Sequence, residues 1–412
     1  MSTLERTPEH IVVVGGGLAG VSAAGELRSR GFEGTITLVD GGPAPYDRPP
    51  LSKAFMFGTA DESDLALAKP DWYVTQQITL RTGVPVTALK PDEGVIELAD
   101  GTRLDADVTI LTTGAGARPL PVPGGDLPQV HLLRTIDDAR ALKARLVPGA
   151  RLAVIGAGLI GAETASAALQ LGATATLVDP LDPPIVPAVG PEMARYLHDQ
   201  HAEHGIAVHT AGVTEIREDG EAVTVVLTTG EELPADAVLV GIGSIPSTEL
   251  AETAGLDVDG GVLVDENLRT SHPAVYAAGD VARGRDADGT LHRREEHWEA
   301  AQLSGRAVAA RVLGQEPEPE CAGWFWSDRH GIHVQGVGSM TAEGETVIRP
   351  RPDDATRPQM AFRVRGNTLV GAAFIDGGPA VRAARIIIDR ALPVDPAALA
   401  DPTVNLRKLA KG

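Results

Sequence analysis

The chain has 412 residues, 43% of them hydrophobic, and a formal net charge of −20. That length implies two or three domains with buried cores, and the acidity argues against nucleic acid as a partner. No apolar run approaches the ~20 residues a membrane helix needs. No charged-then-apolar leader precedes the first apolar run, so a cytoplasmic protein without a membrane partner is expected.

In chain order, residues 11–14 form a short apolar run that predicts a buried parallel strand. Gly15, Gly17 and Gly20 follow as G-x-G-x-x-G, residues 21–30 have helical composition, and residues 35–39 predict a second strand ending at Asp40. Strand, glycine turn, helix, strand and acid together predict a dinucleotide site. The glycines allow a tight turn and close backbone approach to a pyrophosphate, the helix N-terminus favours its charge, and the acid accepts from a ribose hydroxyl. A proline-fixed segment, Tyr46-Asp47-Arg48-Pro49-Pro50-Leu51-Ser52-Lys53, comes next. Short strands are predicted at 84–89 and 94–98 with a turn at Gly101, and a buried strand at 108–111. Prolines and glycines over 118–128 mark a boundary.

The opening pattern then returns. Residues 151–155 predict a strand, Gly156, Gly158 and Gly161 repeat the glycine turn, 162–171 predict a helix, and 175–178 a strand ending at Asp179. Strands at 223–227 and 237–240 are expected to close this second unit, before Gly241-Ile242-Gly243. Another apolar run ends in Gly279-Asp280, residues 295–313 look helical, and 317–319 form a linker. Cys321, the one cysteine, reads as a small linker residue; a single cysteine excludes an internal disulfide, a C-x-x-C redox pair and a four-cysteine metal or cluster site, and no metal is expected. From 324 onward the pattern is α+β, with strands near 332–336, 359–365 and 368–374 and a helix over 380–390.

Two nucleotide units in one chain fit an enzyme holding two dinucleotides, one resident and one visiting. An acid at the end of the second strand binds a free 2′-hydroxyl and repels a 2′-phosphate, and no lysine or arginine follows Asp179 in Pro180-Leu181-Asp182-Pro183, so NADH is expected over NADPH there. Asp280, an acid at a strand end able to accept from a ribitol hydroxyl, suggests FAD at the first site; it also suits a helix N-cap.

The glycine turns, the Tyr46–Lys53 string, Leu133-Arg134-Thr135, Gly156 to Glu163, Tyr276 to Asp280, Trp324-Phe325-Trp326-Ser327-Asp328, and Ala400-Asp401-Pro402 through Leu406-Arg407-Lys408-Leu409 give the chain its resemblance, over nearly its whole length, to the FAD-dependent NADH:ferredoxin reductases. These serve cytochromes P450 and Rieske-type oxygenases. The resemblance implies an α/β protein with two Rossmann-like, glutathione-reductase-like domains and a C-terminal α+β domain. Residues 1–114 with 245–320 would bind FAD, 115–244 would bind NADH, and 321–412 would cover the flavin and dock the partner. It implies FAD contacts at Gly15, Gly17, Ala19, Gly20, Asp40, Val86 and Asp280, with Arg48 and Arg134 offsetting phosphate charge. Lys53 would lie by the flavin N5 edge, Trp298 at the flavin pyrimidine edge and Trp326 against the ring. NADH contacts are implied at Gly156, Gly158, Ile160, Gly161, Asp179 and Gly243, with Glu163 near the nicotinamide and paired with Lys53. Gly41-Gly42 and His297 depart from the family pattern.

The implied acceptor is a [2Fe–2S] ferredoxin, and ferredoxins are generally acidic. Residues 325–412 hold twelve Lys/Arg against nine Asp/Glu, a net +3 against −23 for the rest of the chain, so docking is expected on that domain around Arg382, Arg385 and Arg407. Rubredoxin, a quinone or oxygen are alternative acceptors. A redox switch resembling apoptosis-inducing factor, which shares the Phe-Trp-Ser-Asp string, is another reading. A disulfide or peroxide reductase would need a cysteine near the flavin, and Tyr46–Lys53 holds none.

Overall fold

The structure, a computed structural model, describes residues 8–411; residues 1–7 and 412, at the ends of the expected first and last domains, lie outside the described residues. The elements that build the sites are, in chain order, β1 (His10–Val14), α1 (Leu18–Ser29), β2 (Thr35–Asp40), β3 (Ile78–Thr82), β4 (Val108–Leu111), β5 (Val130–His131), α2 (Ile136–Arg145), β6 (Arg151–Ile155), α3 (Leu159–Gln170), β7 (Thr174–Asp179), α4 (Pro191–Glu203), β8 (Ala207–Thr210), β9 (Ala237–Val240), β10 (Val275–Ala277) and α5 (Trp298–Val312). The last part adds β11 (Trp324–Arg329), β12 (Ile332–Gly338), β13 (Glu345–Pro350), β14 (Pro358–Arg365), β15 (Thr368–Ile375), α6 (Pro379–Asp389) and α7 (Leu406–Leu409).

By its contacts the chain divides into two compact units, 1–49 with 61–116 and 244–319, and 50–60 with 117–243 and 320–412. The first is built on a parallel sheet in the order β10-β4-β1-β2-β3, with Ile11 beside Ile36 and Val108. The β-branched run Ile11–Val14 is buried on both faces, as a central parallel strand requires. Helix α1 turns Ala19, Val21, Ala23, Ala24 and Leu27 inward. Its partner α5 comes so close that a Cβ on Gly305 would stand 2.3 Å from the Ala19 carbonyl oxygen. The expected helix start near Glu295 is corrected: α5 begins at Trp298, after His297 in extended conformation.

The second unit repeats the plan in the order β8-β7-β6-β9-β5. One expectation fails here. Residues 222–227 do not join this sheet; they form an antiparallel sheet with Val213–Asp219 and Glu232–Ala235. The reason is visible in the burial. Only Val223, Val225 and Leu227 face inward, an alternation that suits a one-faced antiparallel sheet, whereas Ala237–Val240 is buried throughout.

Residues 324–375 form an antiparallel sheet, β11-β12-β15-β14-β13, which adds two strands, Trp324–Arg329 and Glu345–Pro350, to the three expected. Its strands bury both faces, with a period of two. Phe362, Val364, Ala372 and Phe374 pack under α6 and α7. Val334, Ala361, Ala373 and Ile375 share a core with Met193, Ala194 and Leu197 of α4. That shared core is why the contacts group 320–412 with 117–243.

Candidate functional site

In the first unit, β1 ends in the glycine turn. Gly15 has φ +110°, and a Cβ there would stand 2.3 Å from the Thr112 carbonyl oxygen. A Cβ on Gly20 would stand 2.0 Å from the Gly15 carbonyl oxygen, so these two glycines let turn, helix and sheet close on each other. Gly17 is the N-cap of α1, with no side chain to satisfy the first-turn N–H groups. The Arg48 guanidinium lies over it, 2.9 Å from where a Cβ would be. Asp40, at the end of β2, accepts from the Gly16 N–H at 2.6 Å and the Gly42 N–H at 2.6 Å. The unusual Gly42 is thus part of the clamp on the acid. Unfilled helix donors, an arginine beside them and a strand-end acid form a donor and acceptor set that fits a dinucleotide pyrophosphate and ribose.

Asp280 follows Gly279, whose N–H donates to the Ser304 hydroxyl on α5, and Arg294 donates to the Asp280 carbonyl at 2.7 Å. Trp298 donates its indole N–H to the Asp47 carboxylate at 2.8 Å, pinning the Tyr46 segment to α5. Burial raises the Asp47 carboxyl above its usual value, and the Trp298 hydrogen bond opposes the rise. Val86 is half-buried at the start of strand Val86–Lys90.

In the second unit the same turn recurs with the same geometry. Gly156 has φ +100°, with a Cβ 2.4 Å from the Gly241 carbonyl oxygen, and a Cβ on Gly161 would lie 2.0 Å from the Gly156 carbonyl oxygen. At Gly158, the N-cap of α3, a Cβ would meet nothing within 4 Å, which leaves the helix N-terminus open to a ligand. Gly243 also faces open space, and Ile160 is 43% exposed on the first turn of α3. Asp179 accepts from the Ala157 N–H at 2.8 Å and the Leu181 N–H at 2.8 Å. Folding also brings an arginine close to this acid's loop, which the sequence order hides. Arg195 of α4 pairs with Asp182 at 2.6 Å and Asp199 at 3.6 Å, so two carboxylates already neutralise it.

The same unit holds the charged centre. Glu163, on α3 and only 2% exposed, accepts from Lys53 Nζ at 2.7 Å and the Ser52 hydroxyl at 2.6 Å on Oε2. Oε1 accepts from the Ser327 hydroxyl at 2.7 Å and weakly from the Asp328 N–H at 3.4 Å. Lys53 Nζ lies 5.8 Å from the centre of the Trp326 ring, which stacks on Trp324 at 4.9 Å. Lys143 of α2 donates to the Phe55 carbonyl at 2.6 Å and holds residues 50–60 in place. Arg134 stands just before α2, its N–H donating to Asp138 at 3.0 Å.

The expected Lys53–Glu163 pair is therefore present. Ser52 and Ser327 were missed as its supports; the Phe-Trp-Ser-Asp string contained Ser327, but not the direction it faces. A histidine cluster was missed as well. His198 and His201 on α4 and His204, its C-cap, recur at helical spacing, and His330 reaches them, with its Nε2 2.9 Å from His201 Nδ1 and its ring stacked on His204 at 4.4 Å. The i, i+3, i+6 spacing was readable in the sequence. Among the described residues no group of three or more His, Cys, Asp or Glu is placed to hold a metal ion, and no helix is long and apolar enough to cross a membrane.

Comparison with known proteins matches this architecture. Residues 9–305 match the pyridine nucleotide-disulphide oxidoreductase family, and 324–410 match the reductase C-terminal domain. Rhodocoxin reductase of Rhodococcus erythropolis is 39% identical over 96% of this chain and 93% of its own length. The anthranilate 1,2-dioxygenase system ferredoxin–NAD(+) reductase component of Burkholderia cepacia is 37% identical over 97% of this chain and 98% of its own. Among solved structures, the covalent putidaredoxin reductase–putidaredoxin complex superposes with a TM-score of 0.91 at 34% identity, covering 98% of each chain. With two acid-terminated glycine turns, a Lys–Glu pair whose carboxylate is buried and relatives matched end to end, the chain belongs to the pyridine nucleotide-disulphide oxidoreductase family.

Proposed function

We propose that this chain is an FAD-containing reductase that takes hydride from NADH and passes single electrons to a [2Fe–2S] ferredoxin, which feeds a cytochrome P450 or Rieske-type oxygenase in the cytoplasm. The observation that carries the reading is the pair of glycine turns, each ending at a strand-end acid, joined in one chain to the Lys53–Glu163–Trp326 set. Bound FAD supplies the switch from two-electron to one-electron chemistry. The chain's own residues bind and orient. In this reading Gly15, Gly17, Ala19 and Gly20 offer α1's backbone to the FAD pyrophosphate, Arg48 and Arg134 offset its charge, and Asp40, Val86, Asp280 and Trp298 hold the remainder. Lys53 brings positive charge to the flavin edge, Trp326 covers the ring, and Glu163 faces the nicotinamide of NADH held by Gly156, Gly158, Ile160, Gly161, Asp179 and Gly243. The domain roles expected above belong to the same proposal.

Asp179 selects NADH. Asp179→Ala is expected to lower the NADH-over-NADPH ratio of kcat/KM by about tenfold, the size of one charge-assisted hydrogen bond. An unchanged ratio would remove Asp179 from the specificity argument.

The ferredoxin docks on the C-terminal domain. Arg382 on α6 and Arg407 on α7 are exposed, and both helices sit on one core. Arg385, expected beside them, is not a free surface charge: it is half-buried, with Nη2 2.8 Å from the Cys321 sulfur, so its reversal would test packing instead. The double reversal Arg382→Glu with Arg407→Glu should slow ferredoxin-dependent cytochrome c reduction about tenfold at low salt and flatten its salt dependence. NADH–ferricyanide turnover should stay unchanged. Full ferredoxin turnover by the double variant would defeat the docking proposal.

A further inference from the structure

Arg329 is 3% exposed, at the end of β11. A buried guanidinium ordinarily sits against a carboxylate. Arg329 makes no ion pair within 4 Å among the described residues, and its Nε has no hydrogen-bond partner there. Its Nη2 lies 3.0 Å from the Ser327 hydroxyl oxygen. Burial pushes it down to about 10, so it remains a cation at neutral pH. Such an arrangement is costly and needs a counterpart.

The counterpart is Glu163, one hydroxyl away. A guanidinium has donors only. Ser327 must therefore accept from Arg329, and its own hydrogen is left to point at Glu163 Oε1, 2.7 Å away. Ser327 is wholly buried, so water does not compete for that hydroxyl. A donor polarised by a cation behind it donates more strongly. The opposite carboxylate oxygen is held from the other side by Ser52 and Lys53. The next residue, His330, donates its N–H to Ser166 at 2.8 Å, one turn along α3 from Glu163, so the strand end cannot drift from the helix.

We propose that Arg329 is a positioning residue for Glu163: it fixes the Ser327 hydroxyl as a one-way donor, and the resulting two-sided grip holds the carboxylate in the orientation that faces Lys53 and the nicotinamide. The inference rests on the reading of Glu163 given above, and the test separates the two.

Ser327→Ala, Arg329→Met and Arg329→Lys are made in the flavin-loaded protein, alone and combined with Glu163→Gln. Limiting flavin bleaching by NADH is followed by stopped flow, and NAD+ affinity by calorimetry. Ser327→Ala and Arg329→Met should each slow bleaching roughly tenfold and weaken NAD+ binding, the scale of one hydrogen bond to a charged group. Arg329→Lys, which still donates, should recover most of the rate. In the Glu163→Gln background neither change should cost more than about twofold, because coupled residues are not additive. If Arg329→Met does not fold, Ser327→Ala carries the same comparison. Equal losses in both backgrounds, or Arg329→Lys as slow as Arg329→Met, would overturn the positioning role. Glu163→Gln bleaching at the parent rate would instead overturn the reading of Glu163 itself.

Discussion

Lys53→Met is expected to slow flavin reduction by NADH about 10²-fold, the usual loss when one preorganised positive donor is taken from a water-poor site. Stopped-flow bleaching under saturating NADH reads this directly, and a loss under threefold would remove Lys53 from the chemistry. The same substitution tests the buried pair. Breaking a buried ion pair by deleting one partner typically costs about 3–5 kcal/mol, because a charge is left uncompensated. For Lys53→Met the cost should fall at the low end, since Glu163 keeps Ser52, Ser327 and the Asp328 N–H as donors and has Arg329 behind them. Glu163→Leu should be worse. It strands two cations, the partly buried Lys53 and the buried Arg329, with no carboxylate in reach of Lys53 among the described residues. Thermal melting of both variants ranks the two losses, and the reverse order would mean that the network is held by something other than Glu163.

The second large effect is on acid stability. His201 is pushed down to about 2 and His330 to about 4, by burial first and then by Arg329 and the neighbouring imidazoles. What faces them is imidazole or guanidinium: His198 from α4, His204 at its C-cap and Arg329 from β11. Unfolded, both return to the ordinary value of 6.5. Above that value neither state holds the proton, and the pair contributes no pH dependence. Below it the unfolded chain takes up protons that the folded chain refuses, so stability falls as pH falls, by about 1.4 kcal/mol per pH unit for each group. For His330 the fall continues to about pH 4. Two such groups remove about 2–4 kcal/mol by pH ~5, allowing for the partial exposure of His330. His201→Leu should lower the slope of melting temperature against pH in this window, the remainder coming from His330 and from the other histidines that burial pushes down, His10, His131 and His198. A slope equal to the parent's would show that the cluster does not govern acid unfolding.

Much of this protein is legible before folding. Each nucleotide turn lies within a stretch of some thirty residues, where strand, turn, helix and acid are covalently close and glycine spacing is dictated by local sterics. The strands 11–14, 108–111 and 237–240 were readable because parallel strands buried on both faces are nearly continuous apolar runs, Thr109 being the one polar residue in these three. The strand expected at 223–227 to close the second unit shows where that signal fails: its alternate burial places it in a different sheet.

Sequence therefore determines the two dinucleotide turns and the acids that end them, because the contacts that make them are local. The tertiary structure alone decides the rest. Ser52, Lys53, Glu163 and Ser327 come from three segments separated by more than a hundred residues each, and nothing in their local composition states that the Glu163 carboxylate will gather the other three. Arg195 is thirteen residues from Asp182 and unremarkable until α4 folds back. His330 joins the α4 histidines only because the C-terminal sheet shares its core with that helix. Arg385, a plausible surface charge by count, turns inward to Cys321 because α6 must bury one face against the sheet. Charge and periodicity along a chain say which groups exist; which of them meet is decided by how sheets and helices exclude water together, and that is a property of the folded chain.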